Sequence, residues 1–90
     1  IGRRLLRLSR QCQVIVVTHL PQVAAFADQH LVVTKSVDAS VAATSGVKTL
    51  AESERVEELA RMLAGLDHTD TGRAHAEELL ATAARERSQA

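Results

Sequence analysis

The chain has 90 residues and a formal net charge of zero, because 11 lysine and arginine residues balance 11 aspartate and glutamate residues. This length suits one small domain or a part of a larger one. Zero net charge gives no bulk attraction to nucleic acid or membrane, and a single aromatic residue, Phe26, excludes a base-stacking platform. The single cysteine excludes an internal disulfide and suits a reducing cytoplasm, and no apolar run reaches membrane-spanning length.

The first half of the chain alternates between predicted helix and predicted strand. Residues 1–11 show a helical period, with an apolar face formed by Ile1, Leu5, Leu8 and Cys12. This helix begins without a cap signal, which indicates that the chain is a part of a longer protein. The run from Val14 to Val17 predicts a strand over 13–18 that is buried on both faces.

Pro21 opens a short predicted helix over 21–28, and residues 30–35 form the second predicted strand. Strand, helix and strand in this order predict a parallel α/β unit with a right-handed crossover.

The second half is predominantly helical. Residues 36–46 read as a turn or as strand ends, and 47–50 predict a short antiparallel strand. A helix is predicted over 52–64, capped near Thr49 or Ser53 and stopped by Gly65. A last helix is predicted over 72–87, with Asp70 or Thr71 as its cap.

His19 is the strongest candidate for a catalytic residue. The predicted buried strand ends in Thr18 and His19, and open α/β sheets bind ligands at the carboxyl ends of their strands. The helix that begins near Pro21 also aims N–H groups at this edge, which suits an anion such as phosphate. A neutral imidazole can accept a hydrogen bond from a water and donate one to a phosphate oxygen. The alternative is a histidine that only caps the following helix. Thr18 supports His19, bonds a helix-terminal N–H, or simply ends a strand.

Two stretches carry a resemblance to a known family. Residues 14–25, VIVVTHLPQVAA, resemble the switch-histidine segment of ABC-type ATPase heads, and the form THLPQVA is closest to the RecN family of bacterial DNA repair proteins, relatives of the SMC proteins. Residues 60–65, ARMLAG, followed by Thr71 and by 75–80, HAEELL, resemble the carboxyl-terminal end of that family. The resemblance covers nearly the whole chain. It implies an α/β fold in which residues 1–90 are the C-terminal part of an ABC-type P-loop NTPase head, with a few strands flanked by helices.

The resemblance also implies a function. The intact protein would be an ATPase that uses ATP and Mg²⁺ in the recombinational repair of DNA double-strand breaks. His19 would be its catalytic γ-phosphate switch residue, with Thr18 beside it at the nucleotide. The implied partners are the rest of the head, the second head of a homodimer and DNA, and the implied location is the nucleoid in the bacterial cytoplasm.

The motifs that hold nucleotide and metal are missing from this sequence. Residues 46–49, GVKT, lack the adjacent Gly-Lys pair and the earlier glycine of a phosphate-binding loop. Thr18 and His19 follow the apolar run where magnesium binding would require Asp and Glu. His30, His68 and His75 lack the spacing of zinc ligands, so no metal site is expected. The chain alone is therefore expected to be catalytically inactive.

Two other interpretations remain at this point. The chain is a fragment of another SMC or ABC-type ATPase, or it is a small non-catalytic α/β interaction domain. A further alternative concerns Arg3, Arg4, Arg7 and Arg10, which contact DNA phosphates or, as is more usual for a charged helix face, only water.

Overall fold

The computed structural model describes residues 1–38, 41–64 and 70–89, without the side chains of 36–38 and 41–45. These residues form six elements: α1 (Gly2–Leu8), α2 (Pro21–Ala24), β1 (Leu31–Asp38), β2 (Val41–Thr49), α3 (Glu52–Ala64) and α4 (Asp70–Gln89). The described part of the chain is thus a small α/β unit with one antiparallel strand pair and flanking helices.

The two strands form a hairpin. β1 pairs antiparallel with β2, and Leu31 lies opposite Thr49 while Val33 lies opposite Val47. The N–H of Leu50 donates to the carbonyl of His30 at 2.9 Å, which extends the pairing by one more bond. The predicted antiparallel strand near 47–50 is therefore confirmed. It is longer than expected, because much of the stretch predicted as a turn belongs to the two strands.

The predicted buried strand over 13–18 is wrong. These residues form no strand and pair with neither strand of the hairpin. Ile15 is 82% exposed and Val17 is 98% exposed. A strand requires a partner backbone, and β1 takes β2, which a short connection brings beside it at a low entropic cost of loop closure. The predicted parallel crossover unit is wrong for the same reason.

α1 buries a different face from the one predicted. Gly2 and Leu6 are buried, whereas Ile1 is 85% and Leu8 is 49% exposed. A β-carbon on Gly2 would stand only 2.5 Å from Cδ2 of Phe26. The absence of a side chain at Gly2 therefore lets the start of α1 pack against that ring.

α3 has the predicted bounds but not the predicted cap. Ala51 precedes the helix, and its N–H donates to Oε1 of Glu54 at 3.0 Å. This is the returning half of a capping box, in which the third helical residue satisfies the backbone of the cap residue. Neither Thr49 nor Ser53 takes that place. The predicted stop at Gly65 lies outside the described residues.

α3 and α4 hold the core together with α2. α4 begins at Asp70, two residues before the predicted start, so Asp70 and Thr71 lie in its first turn. The buried side chains of the core are mostly small, which lets the helices approach closely: Ala24, Ala25, Leu59, Ala60, Ala76 and Ala83. No helix among the described residues is long and apolar enough to cross a membrane.

Candidate functional site

His19 lies in an exposed bend between residues 13–18 and α2. The N–H of Leu20 donates to Oγ1 of Thr18 at 3.0 Å, which closes the turn around His19. α2 then begins at Pro21, whose fixed φ suits the first helical position. Thr18 thus bonds a backbone N–H at the start of α2, one of the alternatives predicted for it. The imidazole of His19 is open to a ligand.

The start of α2 offers fewer free donors than predicted. Pro21 has no N–H, and the N–H groups of Val23 and Ala24 both donate to the carbonyl of Leu20, at 3.1 and 3.0 Å. The N–H of Leu20 is taken by Thr18. The expected anion-binding helix terminus is therefore largely satisfied by the turn itself, and the side chains of His19 and Gln22 are the exposed polar groups beside it.

The end of α2 is held by Arg55 from α3. The Nη2 atom of Arg55 lies 3.4 Å from the carbonyl oxygen of Ala24, 3.5 Å from that of Ala25 and 3.0 Å from that of Ala27. Arg55 is only 9% exposed. The carbonyl of Ala24 also accepts the N–H of Ala27 at 3.1 Å, so Arg55 adds a second donor there and supplies a donor to the carbonyls of Ala25 and Ala27. A cation at this end also complements the helix dipole.

Arg87 from α4 binds the next part of the same turn. Its Nη2 donates to the carbonyls of Phe26 and Ala27, both at 3.2 Å, and its Nε lies 3.0 Å from Oδ1 of Asp28. The carbonyl of Arg87 accepts a hydrogen bond from Nη2 of Arg10 at 2.6 Å. We call Arg55 and Arg87 the arginine clamp. The clamp connects α3 and α4 to the end of α2, and Arg10, which follows α1, bonds to the backbone of Arg87.

The burial of Arg55 and its charged neighbours shift its pKa. Burial lowers the pKa of Arg55 and the neighbouring Arg87 charge lowers it further, while Glu52 and Asp28 raise it. A guanidinium stays protonated at physiological pH despite such shifts, so both positive charges persist. The backbone carbonyls replace part of the water that Arg55 has lost, while its buried Nε has no hydrogen-bond partner among the described residues.

Half-buried His30 lies next to this region. Among the described residues its Nδ1 has no hydrogen-bond partner. Burial lowers the pKa of His30 and the Arg55 charge lowers it further, whereas Glu58 acts in the opposite direction. The neutral form of His30 is therefore favoured in the folded chain.

Sequence reasoning missed the arginine clamp, although a signal was present. Arg55 lies four residues before Leu59 on the apolar stripe of α3, and Arg87 lies four residues after Ala83 on that of α4. A charged residue in line with buried positions indicates a buried donor that has found acceptors.

The basic residues of α1 are partly engaged within the chain. Nη2 of Arg3 lies 3.0 Å from Oε1 of Glu86, and Arg10 bonds to the carbonyl of Arg87. Two of the four arginines proposed as DNA contacts therefore face α4, which favours a structural role for them.

The other sequence features add no binding site. Gly46 to Thr49 lie in β2, and Nζ of Lys48 lies 2.5 Å from Oε2 of Glu54, so this stretch has the geometry of a strand and not of a phosphate loop. Within residues 1–38, 41–64 and 70–89, no group of three or more His, Cys, Asp or Glu residues could hold a metal ion. His68 lies outside these ranges.

Comparison with known proteins identifies the relatives of this chain. No protein-family model matches it. It is 64% identical to DNA repair protein RecN of Streptomyces coelicolor over 87 residues, 97% of this chain and 15% of that protein. It is 63% identical to RecN of Mycobacterium tuberculosis strain H37Rv over 83 residues, 92% of this chain and 14% of that protein. With RecN of Bacillus subtilis it shares 44% identity over 80 residues, 89% of this chain and 14% of that protein.

These relatives are all bacterial proteins named for DNA repair. The chain belongs to their family, the RecN proteins, and corresponds to their C-terminal part. It spans 14–15% of the length of these relatives.

Proposed function

We propose that this chain is the C-terminal part of the ATPase head of a RecN-type protein that acts in the recombinational repair of DNA double-strand breaks. The observation that carries the proposal is the 61–64% identity to RecN proteins over 92–98% of the chain. This identity favours RecN over other SMC or ABC-type ATPases, and no specific observation favours a separate interaction domain.

His19 would act as the γ-phosphate switch residue of the intact head. Its imidazole is exposed at the start of α2, in a turn that the Thr18 hydroxyl closes. One ring nitrogen can accept a hydrogen bond from the attacking water while the other donates to a phosphate oxygen. Thr18 would act mainly by fixing the turn, since its oxygen already accepts the N–H of Leu20.

The groups that hold ATP and Mg²⁺ would come from the rest of the protein. The described residues contribute an exposed imidazole but no carboxylate cluster for a metal, and Lys48 is paired with Glu54. A nucleotide supplies the phosphoryl group, and the part of this chain in the reaction is then to place His19 against it.

The exposed apolar segment before His19 supports this assignment. Val16 is 45% exposed, and its neighbours Ile15 and Val17 are more exposed still. Such β-branched side chains are typical of a strand inside a sheet, so the segment would pair with strands of the remaining head. A second head of a homodimer and DNA are the further partners that the proposal includes, with the nucleoid of the bacterial cytoplasm as its location.

The test is His19→Ala in the complete protein. Loss of one electrostatic contact to the transition state commonly lowers the rate about a hundredfold. We expect a decrease of that size in kcat, with ATP affinity nearly unchanged, because the contact matters mainly in the transition state. His75→Ala, at an exposed position of α4, is the matched control. Parental hydrolysis by His19→Ala would assign His19 a structural role.

A further inference from the structure

We infer that the arginine clamp positions His19, so that Arg55 and Arg87 are positioning residues for ATP hydrolysis. The inference rests on the proposed role of His19. It gives α3 and α4 a function in the active site that goes beyond covering the core.

The first step concerns the stability of α2. The helix has four residues, Pro21–Ala24. A helix this short has no stability of its own, so tertiary contacts decide where it lies. Ala24 and the following Ala25 are buried in the core, and the arginine clamp binds the carbonyls at the end of α2.

The second step concerns the path from the clamp to His19. α2 begins at Pro21, directly after Leu20, and Leu20 is bonded to Thr18 on the other side of His19. His19 therefore lies within the turn that Thr18 closes, and α2 follows directly after that turn. A shift at the clamped end of α2 is passed on to the imidazole, because no flexible linker separates them.

The third step concerns why an arginine is buried there. Burying a charged side chain is unfavourable unless it makes hydrogen bonds, and an apolar residue would fill the same space without that cost. Nη2 of Arg55 instead bonds to the carbonyls of Ala24, Ala25 and Ala27 in one turn, which fixes the distance of the turn from α3. Arg87 adds two carbonyls and the Asp28 carboxylate.

The experiment uses the complete protein and measures ATP hydrolysis and ATP affinity separately. Arg55→Gln and Arg87→Gln remove the positive charge and the guanidinium donors that reach the turn after α2. Each should lower kcat about tenfold or more, the range expected when a catalytic group is displaced slightly, and should change the dissociation constant of ATP by less than about threefold. Arg55→Lys keeps the charge but replaces the guanidinium by a shorter ammonium group, and should recover part of the rate.

Two arginines serve as matched controls on the same helices. Arg61 of α3 bonds to Glu58, and Arg85 of α4 bonds to Oγ1 of Thr82. Arg61→Gln and Arg85→Gln should hydrolyse ATP at the parental rate. If they are as slow as the clamp variants, the effect is a general loss of helix structure and the inference is wrong.

A double-mutant cycle separates positioning from general damage. If Arg55 acts through His19, the variant carrying both His19→Ala and Arg55→Gln should be no slower than His19→Ala alone. If the rate of the double variant is lowered by the product of the two single losses, the inference is wrong. Hydrogen exchange of the amides in 20–27 should also accelerate in the clamp variants and not in the controls, a readout that does not depend on activity. If Arg55→Gln does not fold, Arg87→Gln in the same cycle decides the question.

The outcomes distinguish this inference from the proposed function. Parental hydrolysis by both clamp variants together with a slow His19→Ala variant would refute the inference and leave the proposed role of His19 intact. Parental hydrolysis by His19→Ala would refute the proposed role itself.

Discussion

Gly2 and Phe26 are in such close contact that a β-carbon on Gly2 would stand 2.5 Å from Cδ2 and 3.1 Å from Cε2 of the ring. The ring belongs to the turn after α2, whose carbonyl at Phe26 also accepts a hydrogen bond from Arg87. α1 can therefore pack on this ring only because Gly2 has no side chain.

Gly2→Ala should loosen α1 from the turn after α2. Forcing a methyl group into filled space typically costs about 1–3 kcal/mol, and the better helix propensity of alanine returns less than about 1 kcal/mol. We expect a net loss of about 1–2 kcal/mol in the free energy of unfolding, measured by urea denaturation followed by circular dichroism. Gly46→Ala is the control, because its β-carbon would meet nothing closer than Oγ1 of Thr34 at 3.4 Å. Equal stability of Gly2→Ala and the parent would contradict the contact.

The stability of the chain should decrease in mild acid because of His30. The folded chain lowers the pKa of His30 below its ordinary value of 6.5, so the unfolded chain binds its proton more readily. The stability that neutral His30 contributes is fully present above pH 6.5. It is lost as the pH falls from that value toward the lower pKa of His30 in the folded chain. Denaturation midpoints between pH 5 and 8 test this. His30→Gln should flatten the dependence of stability on pH in this range. An unaltered slope in His30→Gln would assign the dependence to other groups.

The isolated chain should self-associate through its exposed apolar side chains. Val17 is 98% exposed, and Val33 and Val47, which lie opposite each other in the hairpin, are 72% and 68% exposed. Such surfaces on strand-like segments favour pairing with another chain. Light scattering should show an apparent mass that rises with concentration, and Val17→Lys should reduce this rise without altering the circular dichroism. Val17→Ile keeps the apolar surface and should associate like the parent. A monodisperse parental monomer would refute the prediction and indicate an autonomous domain.

The isolated chain should neither bind ATP tightly nor hydrolyse it. It carries His19 but lacks the glycine-lysine loop that cradles phosphates and the acidic pair that holds magnesium. A turnover assay on the purified chain with Mg²⁺ should give background rates, and His19→Ala should not change them. Magnesium-dependent hydrolysis that persists through repeated purification, and that His19→Ala abolishes, would show that a complete site exists within these residues.

The sequence alone determined the elements whose contacts are local. The period of Val56, Leu59, Ala60 and Leu63 predicts α3, and the structure begins and ends this helix at the predicted residues. Helix bonds join residues four apart, so the pattern that selects a helix lies within the helix itself. Short contiguous stretches of the sequence likewise predict the resemblance to RecN, and the comparisons confirm it.

Tertiary structure alone decided which strand finds a partner and which arginine is buried. The run from Val14 to Val17 has strong strand character, yet it stays unpaired, because pairing depends on a second backbone that the run does not specify. The place of Arg55 on the apolar stripe of α3 marks it as a buried donor, but only the packing of α2 and the turn after it against α3 supplies carbonyls 3.0–3.5 Å from its guanidinium. Those acceptors lie 28–31 residues away in the chain, so only the fold brings donor and acceptors together.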